Sequence, residues 1–450
     1  MTKPIYSEGD SIALANITDI DPSKSEKIYF KVETNKDFVQ YEIDEEIVFT
    51  ITLYADEKQI CAPFFKYTLT GDDGKASSGF VRAESGSATL STSISIAGAV
   101  RLVVEPADEN ENVITDPRIT KFEGGAIAGA SKIRTTDEEP FDFDDFWKRK
   151  LSELDKCAPD IYSIEQVESE KSNFDCYIVK VNCIGDPTMV ATNATYTAGV
   201  LTIPKNAAPG SLKFLLCFQG YGVGCVGVWY RNDSICYSVS SHSIDQLREP
   251  EYYNGENLGL VGYGQSPEQN VNPDTAYMTY MLLRDVQALR FLKRYFGQEG
   301  GEATVNGIDT GSWKGLWNCK DIMTNGSSQG GFQAIGVAAL DNDVSAVTAG
   351  VIWNADIAGN TIPTRIQSMF RLKYVNGVRY LDTAFFAKRV RASRVELSAG
   401  NGDVLCPMYS IQAIYNNLNV ENATLTFQQG QCHSATNSVR IDSVQSKGRT

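Results

Sequence analysis

An α/β fold preceded by an all-β module is the fold class this sequence predicts, on three observations. From about residue 31 to 105 the apolar residues recur with a period of two and are rich in β-branched types. Beyond residue 144, strand-like and helix-like runs alternate. Between one such strand and helix stands Asn325-Gly326-Ser327-Ser328-Gln329-Gly330-Gly331-Phe332, a G-x-S-x-G pattern centred on Ser328. With 450 residues the chain has length for more than one domain and a large core.

The first part reads as an immunoglobulin-like β-sandwich over residues 1–120. Its strands include residues 47–54 and 88–94, separated by turn signals at Gly71-Asp72-Asp73-Gly74 and Glu84-Ser85-Gly86. It carries no catalytic constellation, so a packing or positioning module is the expectation, with carbohydrate binding as the alternative. Residues 121–143 are Gly/Ala-rich, then acidic with a proline, and read as a linker. The catalytic domain is expected over 144–450, opening with an amphipathic helix at 144–157 that sets Phe146, Trp147, Leu151 and Leu154 near one face.

Within that domain Lys213 to Phe218 is an apolar strand, followed by the glycine-rich loop Gln219-Gly220-Tyr221-Gly222-Val223-Gly224. The loop lacks a following Gly-Lys-Ser/Thr and so does not read as a nucleotide site. Residues 235–240 form the next strand, just before His242. Residues 277–295 form a core-facing helix with Met281, Leu282, Val286, Leu289 and Leu292 at helical spacing. Residues 297–318, polar and glycine-rich with Trp313 and Trp317, read as an insertion, either a lid or a surface loop. Residues 320–324 are a short buried strand leading into the elbow, and 331–340 a small apolar helix. Strands at 344–350 and 395–400, a helix at 408–418, a strand at 423–427 and a loop bearing His433 complete the chain.

A serine lifted above a sheet by a sharp strand-to-helix turn is the nucleophile elbow of the α/β-hydrolase fold. The turn needs glycine at 326 and 330 because a side chain there would collide with neighbouring backbone. An activated serine also needs a base and an acid, in chain order Ser, Asp or Glu, His. Of two histidines only His433 follows Ser328; His242 is left a structural or pocket-edge role. Asp341, Asp343, Asp356, Asp382 and Asp403 satisfy the order, and Asp403 alone follows a convincing strand and precedes a helix. The oxyanion hole would take one backbone NH from the loop after the 213–218 strand and one from Gln329, the residue after the nucleophile.

Composition narrows the partners. A net charge of −15, from 41 basic and 56 acidic residues with no basic stripe, argues against nucleic acid. No apolar run nears the roughly 20 residues that span a bilayer, and no membrane partner is expected. The first residues lack the apolar core of a signal peptide. The protein is therefore expected to be cytoplasmic, or periplasmic or secreted if an export signal has been removed. Ten cysteines without C-x-x-C spacing read as small buried residues, and two distant histidines give no zinc pattern.

With these marks in place the chain resembles the acetyl xylan esterase and cephalosporin C deacetylase family, carbohydrate esterase family 7, over about residues 140–450. The resemblance is carried by Asp142-Phe143-Asp144-Asp145-Phe146-Trp147, Phe218-Gln219-Gly220-Tyr221-Gly222, Gly326-Ser327-Ser328-Gln329-Gly330-Gly331, Asp403 with Cys406-Pro407, and His433. It implies Ser328 as nucleophile, His433 as base, Asp403 as orienting acid, and the NH groups of Tyr221 and Gln329 as oxyanion donors. It implies no metal or organic cofactor, an acetylated sugar or xylo-oligosaccharide as substrate, and a homo-oligomer whose size the added sandwich would limit. The family's Arg-Gly-Gln signature is replaced by Ser240-Ser241-His242-Ser243, its His-Glu by His433-Ser434, and segment 297–318 is longer than usual. A serine peptidase of the same fold and a non-catalytic carbohydrate-binding relative are the alternative readings.

Overall fold

The computed structural model describes residues 15–16, 25, 27–188, 195–433 and 436–448. The first two sheets are built from β1 (Ala15–Asn16), β2 (Ile28–Thr34), β3 (Ile47–Ala55), β4 (Lys58–Cys61), β5 (Phe64–Gly71), β6 (Ala76–Arg82), β7 (Ser87–Thr92), β8 (Gly98–Ala107), β9 (Ile119–Thr120) and β10 (Phe122–Ala128). One sheet runs β1-β4-β3-β2-β9, with β7 also on β3, and the other β10-β8-β5-β6. Strict alternation makes them face each other. Along β3 every second residue is buried, and Phe30 of β2 meets Phe65 of β5 edge-on, ring centroids 5.2 Å apart.

The chain does not enter a linker at residue 121, as its composition suggests. Phe122–Ala128 is a strand, paired antiparallel with β8 from Phe122↔Val104 to Ala128↔Gly98. Its glycines read as a flexible connection, but they answer to close packing: a Cβ on Gly125 would lie 1.9 Å from the Val100 carbonyl oxygen.

The larger sheet has ten strands: β11 (Ile161–Val167), β12 (Phe174–Asn182), β13 (Tyr196–Pro204), β14 (Leu212–Phe218), β15 (Ser234–Val239), β18 (Trp317–Ser327), β19 (Ala346–Gly350), β20 (Arg394–Gly400), β21 (Ala423–Gln431) and β22 (Thr436–Lys447). Between β15 and β18 lies a small hairpin, β16 (Thr304–Val305) and β17 (Ile308–Asp309). The sheet order is β11-β12-β13-β15-β14-β18-β19-β20-β21-β22. From β15 to β21 neighbours are parallel, and the flanking pairs are antiparallel. The reversal of β14 and β15, followed by strands in chain order, is the α/β-hydrolase arrangement. It gathers the carboxyl ends of β14, β18, β20 and β21 on one edge.

The helices are α1 (Phe143–Leu154), α2 (Pro267–Asn270), α3 (Tyr277–Phe296), α4 (Gln329–Leu340), α5 (Thr383–Ala387) and α6 (Met408–Asn417). As its spacing predicts, α3 is core-facing, with Met281, Leu282, Leu289 and Leu292 fully buried. Segment 297–318 does not act as a lid. Gly315 and Leu316 carbonyls accept hydrogen bonds from Gly210 and Leu212 at the amino end of β14, opposite the elbow, and Trp313 stacks on Phe296 at 5.0 Å.

Candidate active site

The elbow is built as the sequence requires. β18 ends at Ser327, α4 begins at Gln329, and Ser328 between them holds φ 57° and ψ −121°, a strained conformation for a residue with a side chain. Backbone bonds fix it there. Ser328 NH donates to the Gly350 carbonyl at 2.9 Å, and its own carbonyl accepts from Trp353 NH at 3.1 Å. A Cβ on Gly326 would lie 2.3 Å from the Gly330 carbonyl oxygen, and one on Gly330 2.3 Å from that of Phe218, so neither position accepts a side chain.

Asp403 and His433 meet. Asp403, just beyond β20 and buried, accepts from the NH groups of Leu405 (2.8 Å) and Cys406 (2.9 Å) through Oδ1, and its Oδ2 lies 2.8 Å from His433 Nδ1. A carboxylate can only accept, so Nδ1 carries the proton and Nε2 is left as an acceptor. The other aspartates allowed by order are engaged elsewhere. Asp341 and Asp343 both bind Lys293, Asp356 binds Arg365 and Thr136, and Asp382 accepts from three backbone NH groups. Burial, with Asp356 nearby, pushes the Asp382 carboxyl up to about 7.

Ser328 stands on the same sheet edge, since Gly326 pairs with Ala349, Gly350 with Ser398, and Gly400 with Gln428. Among the described residues no hydrogen bond joins Ser328 Oγ to His433. Catalytic hydrogen bonds commonly tighten only once substrate is bound. Cys406 Sγ belongs to the same cluster. The ligand atoms of Asp403, Cys406 and His433 lie within 4.8 Å of one another, so they could also hold a thiophilic cation, a grouping the histidine spacing gave no sign of.

The 219–224 loop and Gln329 fall beside the elbow. β14 pairs with β18 through Phe218↔Gly326, which brings the 219–224 loop against the serine turn. Gln329 is the first residue of α4, where a backbone NH has no intrahelical acceptor. Among the described residues no acceptor is recorded for the NH of Tyr221 or of Gln329. The Tyr221 ring stacks on Tyr263 at 4.4 Å and meets Phe370 edge-on at 4.7 Å.

Behind this loop lies a buried polar network that sequence reasoning missed. Tyr263 Oη accepts from Gly222 NH (2.9 Å) and donates to Gln329 Oε1 (2.9 Å); Gln329 Nε2 donates to Ser241 Oγ (2.9 Å), Ser241 to Gln333, and Gln333 Nε2 to Asp285 Oδ2 (2.8 Å). His242 is fully buried, with Nε2 3.1 Å from the Gly222 carbonyl and Nδ1 2.6 Å from Tyr277 Oη. Burial lowers its imidazole to about 4, so it stays neutral and holds the loop, the structural role expected of it. Arg284, ion-paired with Asp186 at 2.6 Å, donates to the Ser241 carbonyl. The adjacent charges Arg284-Asp285, set directly between Leu283 and the core-facing Val286, were the available signal.

Asp285 yields a pH prediction. Burial pushes its carboxyl up to about 7, above its unfolded value, so the native state holds a proton that the unfolded chain releases. Its contribution to stability is present at low pH and is lost as pH rises toward and through about 7. Replacing Asp285 with Asn should therefore raise the melting temperature, relative to wild type, more at pH 8 than at pH 5. Equal differences at the two pH values would contradict this.

A small cavity of about 20 Å³ lies between the residues after β19 and the loop after Asp403, lined by Ile352, Trp353, Phe370, Leu405, Cys406 and Tyr409 among others. No helix among the described residues is long and apolar enough to cross a membrane. All ten cysteines are free.

Residues 128–257 match the acetyl xylan esterase (AXE1) family model, a segment that holds the 219–224 loop and ends before Ser328. The acetyl esterase Axe7A of Xylanibacter ruminicola is 26% identical over 295 residues, covering 62% of this chain and 60% of that relative's length. Among solved structures, an acetyl xylan esterase from Paenibacillus sp. R4 gives a TM-score of 0.49 at 16% identity, covering 68% of this chain and 93% of its own. Acetyl xylan esterase 1 from Thermoanaerobacterium sp. gives 0.48 at 17%, covering 68% and 92%. In sequence, this chain resembles the acetyl xylan esterase family.

Proposed function

We propose that this protein is a serine esterase that removes acetyl groups from acetylated sugars or xylo-oligosaccharides through an acyl-enzyme intermediate. The observation that carries the reading is the 2.8 Å contact between Asp403 and His433 on the sheet edge that bears the strained Ser328. His433 Nε2 takes the Ser328 proton as Oγ attacks the acetyl carbonyl, and Asp403 holds the imidazole in the required tautomer. The developing oxyanion is received by the NH groups of Tyr221 and Gln329, each such donor being worth about 3 kcal/mol. His433 then protonates the departing sugar oxygen, and a water activated by the same imidazole releases acetate. The steps route no chemistry through a metal or cofactor.

The proposal includes two units. An immunoglobulin-like sandwich runs through Ala128, and a hydrolase unit begins near Phe143. A homo-oligomer and, if an export signal has been removed, a periplasmic or secreted location remain part of it; solution mass and fractionation read them. The test gives purified wild type and Ser328→Ala three substrates: 4-nitrophenyl acetate, acetylated xylo-oligosaccharide and an aminoacyl nitroanilide. Acetate release from the first two, lost in the variant, is expected. Nitroaniline release would indicate a peptidase, and no turnover of any substrate a non-catalytic binding relative.

A further inference from the structure

The acid and base loops do not stand on the hydrolase sheet alone. Edge strand β10 of the first module runs directly beneath them. Gln429, on the base strand β21, clasps the Gly125 backbone, its Oε1 accepting from Gly125 NH and its Nε2 donating to Gly125 O, both at 2.9 Å. Asn401, on the acid side, donates to the same carbonyl at 3.2 Å. Gly402, next to Asp403, packs so closely on β10 that a Cβ would lie 2.1 Å from the Glu123 carbonyl oxygen, while its NH donates to Gln431 O at 2.9 Å. Acid loop, base loop and β10 are thus in mutual contact.

One side chain of β10 reaches the base loop itself. Glu123 Oε2 accepts from the thiol of Cys432, the residue before His433, at 2.9 Å. The carboxylate is largely shielded from solvent and is oriented by Arg101 at 3.0 Å and Lys121 at 2.7 Å. Burial opposes its charge, yet the Cys432 thiol and the two cations hold its carboxyl below the usual range, so it is an ionised acceptor at neutral pH. The Cys432 thiol is the donor in this contact, since an ionised carboxylate can only accept. Neither partner alone explains the arrangement. A thiol hydrogen-bonded to a carboxylate from another module, one residue from the imidazole, fixes where the base loop leaves β21.

We infer that Glu123 is a positioning residue for catalysis, acting through the Cys432 thiol to hold His433 against Asp403, so that the first module completes the active site of the second. The inference rests on the reading of Ser328 and His433 as the reacting pair. A misplacement near 1 Å can cost on the order of a hundredfold in rate, and loosening one anchor among several should cost less.

The test uses the full chain with 4-nitrophenyl acetate and compares wild type, Glu123→Ala, Cys432→Ala, Cys432→Ser, the double alanine variant and Ser328→Ala. Cys432→Ala and Glu123→Ala are each expected to lower kcat about tenfold with KM within about twofold. Cys432→Ser, whose hydroxyl can donate to the same carboxylate, should retain kcat within about twofold, and the double variant should lose no more than the worse single. Should Glu123→Ala fail to fold, the Cys432 pair decides. Cys432→Ala with unchanged kcat, Cys432→Ser as impaired as Cys432→Ala, or multiplying losses in the double variant would overturn the inference. Wild type without turnover, or Ser328→Ala with full turnover, would instead overturn the reading beneath it.

Discussion

Ser328→Ala is expected to lower kcat for 4-nitrophenyl acetate by about 10⁴- to 10⁶-fold, the range seen when a triad nucleophile is removed. The Ser328 side chain is half-buried and anchors nothing, because the bonds that hold the elbow run through its backbone NH and carbonyl. Fold and stability should therefore survive, with the unfolding free energy within about 0.5 kcal/mol of wild type. The residual rate should reflect the oxyanion donors and substrate binding, which the substitution leaves in place. Steady-state kinetics paired with denaturant unfolding checks both halves. A variant retaining more than a tenth of wild-type kcat would remove Ser328 from the chemistry.

Asp403→Asn should cost about 10⁴-fold in kcat, with KM nearly unchanged. The amide oxygen can still accept from Leu405 and Cys406 NH, so the loop is expected to keep its shape. Its NH₂ group, however, would face His433 Nδ1 and make that nitrogen an acceptor, moving the ring proton to Nε2, where the base must be free. Asp382→Asn is the control. That carboxyl caps backbone NH groups around residues 356 and 384, and its replacement should leave kcat within about threefold. Comparable losses in the two variants would show that Asp403 acts only through folding.

Much of the candidate site was legible because its pattern is local in sequence. Two glycines flanking Ser328 encode an elbow that allows no side chains, and strand, turn and helix around Asp403 encode its place on the sheet edge. His433 was singled out because the chain has only two histidines. What stayed hidden depends on contacts between distant segments. Tyr263, Ser241 and Gln333 lie in segments with ordinary composition, and only the fold brings them behind the 219–224 loop. Strand β10 was hidden for a different reason. Glycine usually marks a flexible connection, but Gly124 and Gly125 serve close approach, to the side chains of Phe122 and Gln429 in one case and to Val100 and Met408 in the other. The lid reading of segment 297–318 failed because two buried tryptophans, Trp313 and Trp317, bind it to the core at the far end of the sheet.

The central claim is that Ser328 is made nucleophilic by the Asp403–His433 pair. The most direct measurement is covalent labelling with diethyl 4-nitrophenyl phosphate, followed by peptide mapping in a mass spectrometer. The account predicts one diethylphosphoryl group on Ser328, formed in step with loss of esterase activity, and sharply slowed labelling in Asp403→Asn and His433→Ala. Label on another residue, or an active enzyme that Ser328 labelling leaves unimpaired, would contradict it.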